Sequence, residues 1–297
     1  MAGPPGGWVA GPVGEPVELG DGFVSRLGAL RLRVEGTRRA REGAGRGSLL
    51  GAGEDLVGFR PYRPGEDLRQ LDWNLLARHD RPFVRVTRRE AGEHWAVLLD
   101  ASASMGVGVR PKLQVAAECA AALVALGQAR GATVELLVSG REEALDEEVV
   151  VPPRGGLEGV MALLEGRRAE GRGRLGALLA TRRLRSLATR VLVIGDLSDL
   201  DPGEVLGIRR GGRELRLCQV LAPEELDPFV GGVELLDPEG GERLGLEVDE
   251  RRRSAYLREL ERSLEGWREL AGRHGFRHVV RSSAEPFEVL VEELLRR

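Results

Sequence analysis

Residues 97–106 read VLLDASASMG. A hydrophobic run stops at a lone carboxylate, Asp100, and two hydroxyls follow at the second and fourth positions after it, Ser102 and Ser104. The preceding "HWAVLLD" has the length and apolar content of a buried strand, and the later "KLQVAAECAAALVALGQAR" has helical period and length. Strand, polar loop, helix is the opening of an α/β unit. In open α/β sheets, sites form beyond the C-terminal strand ends, where the strand order reverses. The Asp-x-Ser-x-Ser string then has two readings. It is a helix cap satisfying orphan N–H groups, or a set of hard oxygen donors suited to Mg²⁺ or Mn²⁺.

A second strand favours the donor reading. "RVLVIGD" also ends in a carboxylate, Asp196. If the two strands are neighbours, Asp100 and Asp196 meet at one edge. Outward from this pair, "ATVELLVS", "ELRLCQVLA" and "FRHVVRS" read as further strands and "EEVVVPP" as a short edge strand that its prolines stop. "GLEGVMALLEG", "LGALLATRRLRSLA", "PGEVLGIRR", residues 251–274 and "PFEVLVEELLRR" read as helices. "GVELLDPEGGERLGLEV" reads as a hairpin around its Asp-Pro-Glu-Gly-Gly turn. Short apolar strands alternating with helices predict a doubly wound, mostly parallel α/β sheet in three layers, with the hairpin as an insertion. The expected organisation is a loose Gly/Pro-rich tail over residues 1–22, an N-terminal segment over 23–93 packed on the sheet, and the sheet domain over 94–297.

Composition narrows the function. The chain has 297 residues, 42% hydrophobic and 31% charged, with a net charge of -3. That balance suits a soluble globular protein and argues against a nucleic-acid-coating surface. No apolar run reaches the roughly 18 residues that span a bilayer, and the first 20 residues lack the basic start and apolar core of a secretory signal. Cys119 and Cys218 sit in apolar segments without metal-ligand spacing. They read as buried thiols of a cytoplasmic protein. Lys112 is the only lysine among 44 basic residues.

"AVLL" followed by "DASASM" resembles the metal-ion-dependent adhesion site of von Willebrand factor type A domains. The upstream "GFRPYRPGEDLRQLDWNLLARHDRPFVRVTRREAG" resembles the signature of the bacterial family called domain of unknown function 58. Its pattern falls here on Arg60, Tyr62, Gly65, Glu66, Asp67, Arg69, Leu71, Asp72, Trp73, Ala77 and Arg78, with Glu90 before the first strand of the sheet. The resemblance implies a type A fold behind the signature and a non-catalytic adaptor. It implies that this adaptor binds a client protein and acts with a MoxR-type AAA+ ATPase in protein-complex maturation. It also implies a metal site on Asp100, Ser102, Ser104 and Asp196. One ligand departs from the pattern. Where the family carries a Thr in a second loop, this chain has "EGRGRLGALL", with Gly173 or Arg174 at the position. Either water completes a weaker Mg²⁺ or Mn²⁺ site, or Arg174 replaces the cation by pairing with a carboxylate.

Tyr62, Asp67, Arg69, Asp72, Trp73 and Arg78, with Arg60, have the chemistry of a charge-paired collar around aromatic anchors. Such a collar bolts the segment to the sheet or offers a docking surface, since Trp, Tyr and Arg are enriched in hot spots. The four histidines, His79, His94, His274 and His278, lack metal spacing and read as surface or capping residues. The rival reading is a Mg²⁺-dependent phosphohydrolase of the haloacid-dehalogenase type. Asp100 would be its nucleophile and "IGDLSD", with Asp196 and Asp199, its metal-holding end. Against it, the general acid/base position two residues after the nucleophile is Ser102, and a hydroxyl cannot do that work near neutral pH.

Overall fold

A computed structural model describes residues 8–9, 15–43, 55–61, 75–76, 81–88, 93–139, 147–153, 155–173, 175–180, 188–210, 212–236 and 243–296. The chain divides into two units, one made of Met1–Glu35 with His94–Arg297 and one of Gly36–Glu93. In chain order the elements are β1 (Trp8–Val9), α1 (Asp21–Gly43), β2 (Asp55–Pro61), β3 (Phe83–Arg88), β4 (His94–Asp100), a 3-10 turn (Ala103–Gly106), α2 (Lys112–Ala129), β5 (Thr133–Ser139), β6 (Glu147–Val151), α3 (Glu158–Leu164), α4 (Leu175–Ala180), β7 (Arg190–Gly195), α5 (Pro202–Arg210), β8 (Glu214–Leu221), α6 (Pro223–Leu226), β9 (Gly231–Leu236), β10 (Arg243–Val248), α7 (Glu250–His274), β11 (Arg277–Ser282) and α8 (Phe287–Leu295).

The larger unit is organised by a six-stranded sheet of order β11-β8-β7-β4-β5-β6. All neighbours are parallel except β6, which runs antiparallel to β5 at the edge. This is the doubly wound, mostly parallel arrangement that the alternating strands and helices predict. From β4 the chain moves first to β5 on one side and later to β7 on the other. The strand order therefore reverses between β4 and β7, and this is where a crevice opens in such sheets. A separate small sheet pairs β1, β9 and β10, with β9 and β10 antiparallel as the hairpin reading requires.

Strand alternation sorts the core into two layers. Trp95, Val97 and Leu99 of β4 face one cluster with α2 and α8, whereas Ala96 and Leu98 face the other with α4, α5 and the end of α7. The helix α2 is buried along almost its whole length, which its Ala-rich, all-round apolar sequence permits. Close packing has a visible limit at Gly127. A Cβ there would lie 2.6 Å from Val134 Cγ2 and 2.9 Å from Trp95 Cε3.

The expected loose tail over 1–22 needs correction at residues 8–9, which pair with β9, and across residues 15–22. Val17 and Leu19 are buried. Val17 N donates to Arg167 O at 2.8 Å, Gly166 N returns a bond to Val17 O at 2.9 Å, and the Gln114 amide brackets the Glu18 backbone. The apolar residues Val17 and Leu19 alternate like a strand in a stretch whose Gly and Pro content masks them. The helix α1 continues this packing through Phe23, Leu27 and Leu30, one helical face. Phe23 meets Phe287 at a ring distance of 5.2 Å, and Arg26 forks onto Glu288.

In the smaller unit β2 and β3 pair antiparallel, and Arg60 lies opposite Val84 in the register. Tyr62, Asp67, Arg69, Asp72, Trp73 and Arg78 lie outside the described residues, as do His79 and the turn of the β9–β10 hairpin. No helix of the described residues is long and apolar enough to cross a membrane.

Gly127→Ala tests the close packing of α2 on the sheet. Alanine gains about 1 kcal/mol of helix propensity, but overpacking a tight core costs about 1–3 kcal/mol. The expected net result is a lower denaturation midpoint in urea at an unchanged m-value, measured against wild type.

Candidate functional site

The strands β4 and β7 are hydrogen-bonded neighbours in register Leu99↔Ile194, so Asp100 and Asp196 emerge side by side at the reversal point. Gly195 makes the approach possible, since a Cβ there would stand 2.6 Å from Asp100 Cβ. Both carboxylates are nearly sealed from solvent, Asp100 at 0% and Asp196 at 6% exposure.

The first loop is held by local bonds. Ser102 N donates to Asp100 Oδ1 at 2.9 Å, and Ser139 Oγ reaches the same oxygen at 3.4 Å from β5. The Ser102 and Ser104 hydroxyls lie 3.1 Å apart. Backbone bonds from Ala103 N to Gly171 O and from Glu170 N to Ala101 O fasten the loop under residues 170–171. Asp100 Oδ2 is buried with no hydrogen-bond partner among the described residues. Burial, aided by the charge of Asp196, pushes the Asp100 pKa up to about 7, so this carboxyl carries a proton through much of the acid range.

Around Asp196 the cation is an ammonium. Lys112 Nζ, at the first residue of α2, donates to Asp196 Oδ2 at 3.0 Å and to Glu225 Oε1 at 3.0 Å, and it is itself 1% exposed. Burial opposes its charge, but Asp196 and Glu225 outweigh that and hold its pKa above the usual lysine value. Burial likewise opposes charge on Asp196, and Lys112 with the Ser104 and Ser198 donors lowers its pKa in spite of it. Asp196 Oδ1 accepts from Ser198 N at 3.1 Å and from Ser198 Oγ at 2.8 Å. This tight turn carries Leu197 at φ 62°, the one non-glycine residue with positive φ among those described. A branched side chain in that region is uncommon and costs backbone energy.

The second loop supplies no hydroxyl. A Cβ on Gly173 would lie 2.8 Å from Asp199 Cγ, so the Asp199 carboxyl fills the space a Thr side chain would enter. Asp199 Oδ2 accepts from Leu175 N at 2.8 Å. Arg174 lies outside the described residues. Tested as a divalent-cation site, the donor set is incomplete. Asp196 is engaged on both oxygens, the loop hydroxyls bond to each other, and among the described residues no three His, Cys, Asp or Glu side chains gather as a metal cluster. Only the unpartnered Asp100 Oδ2 has the character of a free ligand.

The structure thus brings Asp100, Ser102, Ser104 and Asp196 together as the spacing suggests. Lys112, Glu225, Ser139, Gln219 and His278 were not foreseen as members. The signal for Lys112 was its uniqueness in an Arg-saturated chain. The surface reading of His278 is corrected. It lies on β11, its ring 6.0 Å from that of Trp267, with Nε2 3.1 Å from Gln219 Oε1. Gln219 Nε2 in turn donates to the Asp196 carbonyl at 3.0 Å. Burial, with Arg268 nearby, lowers the His278 pKa to about 4.

Fold and edge together define a doubly wound α/β domain with a charge-locked carboxylate pair at its reversal point. The chain belongs to the family described as "Protein of unknown function DUF58", whose family model matches residues 58–265. It is 27% identical to uncharacterized proteins of Mycobacterium tuberculosis and Mycobacterium bovis over 227 residues, 71% of this chain and 69% of theirs. Among solved structures, the crystal structure of the SpRpn10 VWA domain overlaps 68% of this chain and 95% of its own at a TM-score of 0.37 and 11% identity.

Two measurements test this chemistry. Removing one partner of a buried ion pair costs about 3–5 kcal/mol, so Lys112→Met is expected to lower unfolding stability by that order. Adding Asp196→Asn should recover part of it, read as a coupling energy in a double-mutant cycle. For His278, the folded chain binds fewer protons than the unfolded chain between about pH 4 and 6.5. Its contribution is therefore complete above that window and is lost as the pH falls through it. Wild type should lose roughly 2–3 kcal/mol more than His278→Gln between neutral pH and pH 4. Asp100 acts in the opposite sense in both proteins and cancels from the comparison.

Proposed function

We propose that this chain is a non-catalytic protein-interaction adaptor of the cytoplasm, which presents the β4/β7 edge to a MoxR-type AAA+ ATPase and acts with it in maturing a client complex. The carrying observation is the contrast at that edge. The carboxylates are buried, while a groove of about 540 Å³ opens on the Asp196 side of the pair. Asp196, Leu197, Leu221, Tyr256, Leu260 and Trp267 line it. A mostly apolar groove with a few polar groups at one end suits an apolar anchor from a protein segment, the usual centre of a hot spot. The buried free thiols Cys119 and Cys218 suit a reducing compartment.

The phosphohydrolase reading is not favoured. Asp100, its nucleophile, is fully buried and bonded to its own loop, and Ser102 stands where the acid/base carboxylate is needed.

Purified ATPase and adaptor test the proposal by biolayer interferometry. Tyr256 is 44% exposed at the groove. Tyr256→Glu should weaken binding at least tenfold, about 1.4 kcal/mol. Leu32→Glu, at an exposed position of α1, should leave the affinity unchanged. Equal affinity of folded Tyr256→Glu and wild type would overturn the groove as the docking site, and absence of any binding would overturn the partnership.

A further inference from the structure

We infer that Lys112 is the resident cation of this edge, an ammonium that does the loop-joining and charge-neutralising work of a divalent ion, so that the edge assembles without Mg²⁺ or Mn²⁺. Three independent observations carry it. First, the contacts are those of a bridging cation. One charge centre, 1% exposed, binds two carboxylates, one in the loop after β7 and one in α6, at 3.0 Å each. Second, the coordination space is taken. Asp196 is satisfied on Oδ1 by Ser198 and on Oδ2 by Lys112, Ser102 and Ser104 bond to each other, and the Asp199 carboxyl fills the space beside Gly173. What is left for a metal is one oxygen of Asp100 and shared hydroxyls, a poor donor set for a hard dication. Third, arginine supplies every other basic position of the chain. A compact ammonium fits between two carboxylates that face it from different directions. Its three donors on one compact charge are what meets both of them here.

The ammonium is too deeply buried to touch a partner, so its role is to position Asp196 and the turn at Leu197. The inference is independent of the ATPase proposal, and its test uses no partner. Mn²⁺ binding is read directly from the loss of the free-ion signal in electron paramagnetic resonance, on the full chain after chelation and buffer exchange. Wild type is expected to leave millimolar Mn²⁺ free. Lys112→Met, or Lys112→Gln if the first fails to fold, is expected to take up one equivalent, with affinity at least tenfold above that of wild type. Asp100→Asn in the same background should abolish that uptake. Saturable binding of one Mn²⁺ by wild type, lost in Asp100→Asn, would overturn the inference. A folded Lys112 variant that takes up no Mn²⁺ would overturn it equally, because the ammonium would then not be standing in a metal's place. The wild-type measurement decides even if neither variant folds.

Discussion

The bridge from Lys112 to Asp196 and Glu225 is the interaction on which this edge depends. It joins the start of α2 to the loop after β7 and to α6, segments 84 and 113 residues away in the chain. Desolvating three charged groups is expensive, and the bridge is stable only because hydrogen bonds complete it. Ser198 satisfies the other oxygen of Asp196, and the Ala222 backbone N–H donates to Glu225 Oε2 at 2.6 Å. The backbone strain at Leu197 follows from the same constraint. The turn must bring Ser198 back onto Asp196, and the burial of Leu197 at 3% exposure holds it there.

Much of the architecture was legible because its signals are local. A strand buried on both faces reads as a continuous apolar run, and the centres of β4 and β7 are such runs. Their carboxylate ends are also local. Adjacency of β4 and β7 required only that the strand order reverse between them, a property of doubly wound sheets. The long helix α7 was legible from its periodicity, and its ends from chemistry. Asp249 caps its first turn by accepting from Arg252 N, and Gly275 closes it in the left-handed conformation.

The rest of the site was not legible because its determinants are non-local. The first residue of a helix is usually solvated, so nothing in the pattern around Lys112 marks it as buried. Its partners are fixed only when β7 and β8 fold beside β4. The resemblance offers Arg174, outside the described residues, as a substitute cation, and the ammonium beside Asp196 comes from the start of α2. Gly173 reads in one dimension as a missing ligand. In three dimensions it is the position that lets Asp199 in. His278 departs from its sequence pattern for a related reason. A lone histidine after a helix looks exposed, and its burial comes from Trp267 and Gln219, which approach from two other elements.

These determinants bear on what such an edge can do. Catalysis at a strand-end carboxylate needs a group whose charge or lone pair reaches substrate. Here Asp100 is sealed, Asp196 is neutralised from within, and the hydroxyls are spent on one another. The charge of Asp196 is balanced from inside the fold, and the buried oxygen of this pair left without a partner among the described residues is Asp100 Oδ2. On the proposed reading, rigidity serves recognition. The same bonds that engage Asp196 hold the turn at Leu197, and Leu197 lines the groove with Tyr256 and Trp267. A wall held in place before the partner arrives lowers the ordering cost of binding. The Gln219 link carries this rigidity further, from the Asp196 backbone to His278 and so to the strand β11 against which α7 packs.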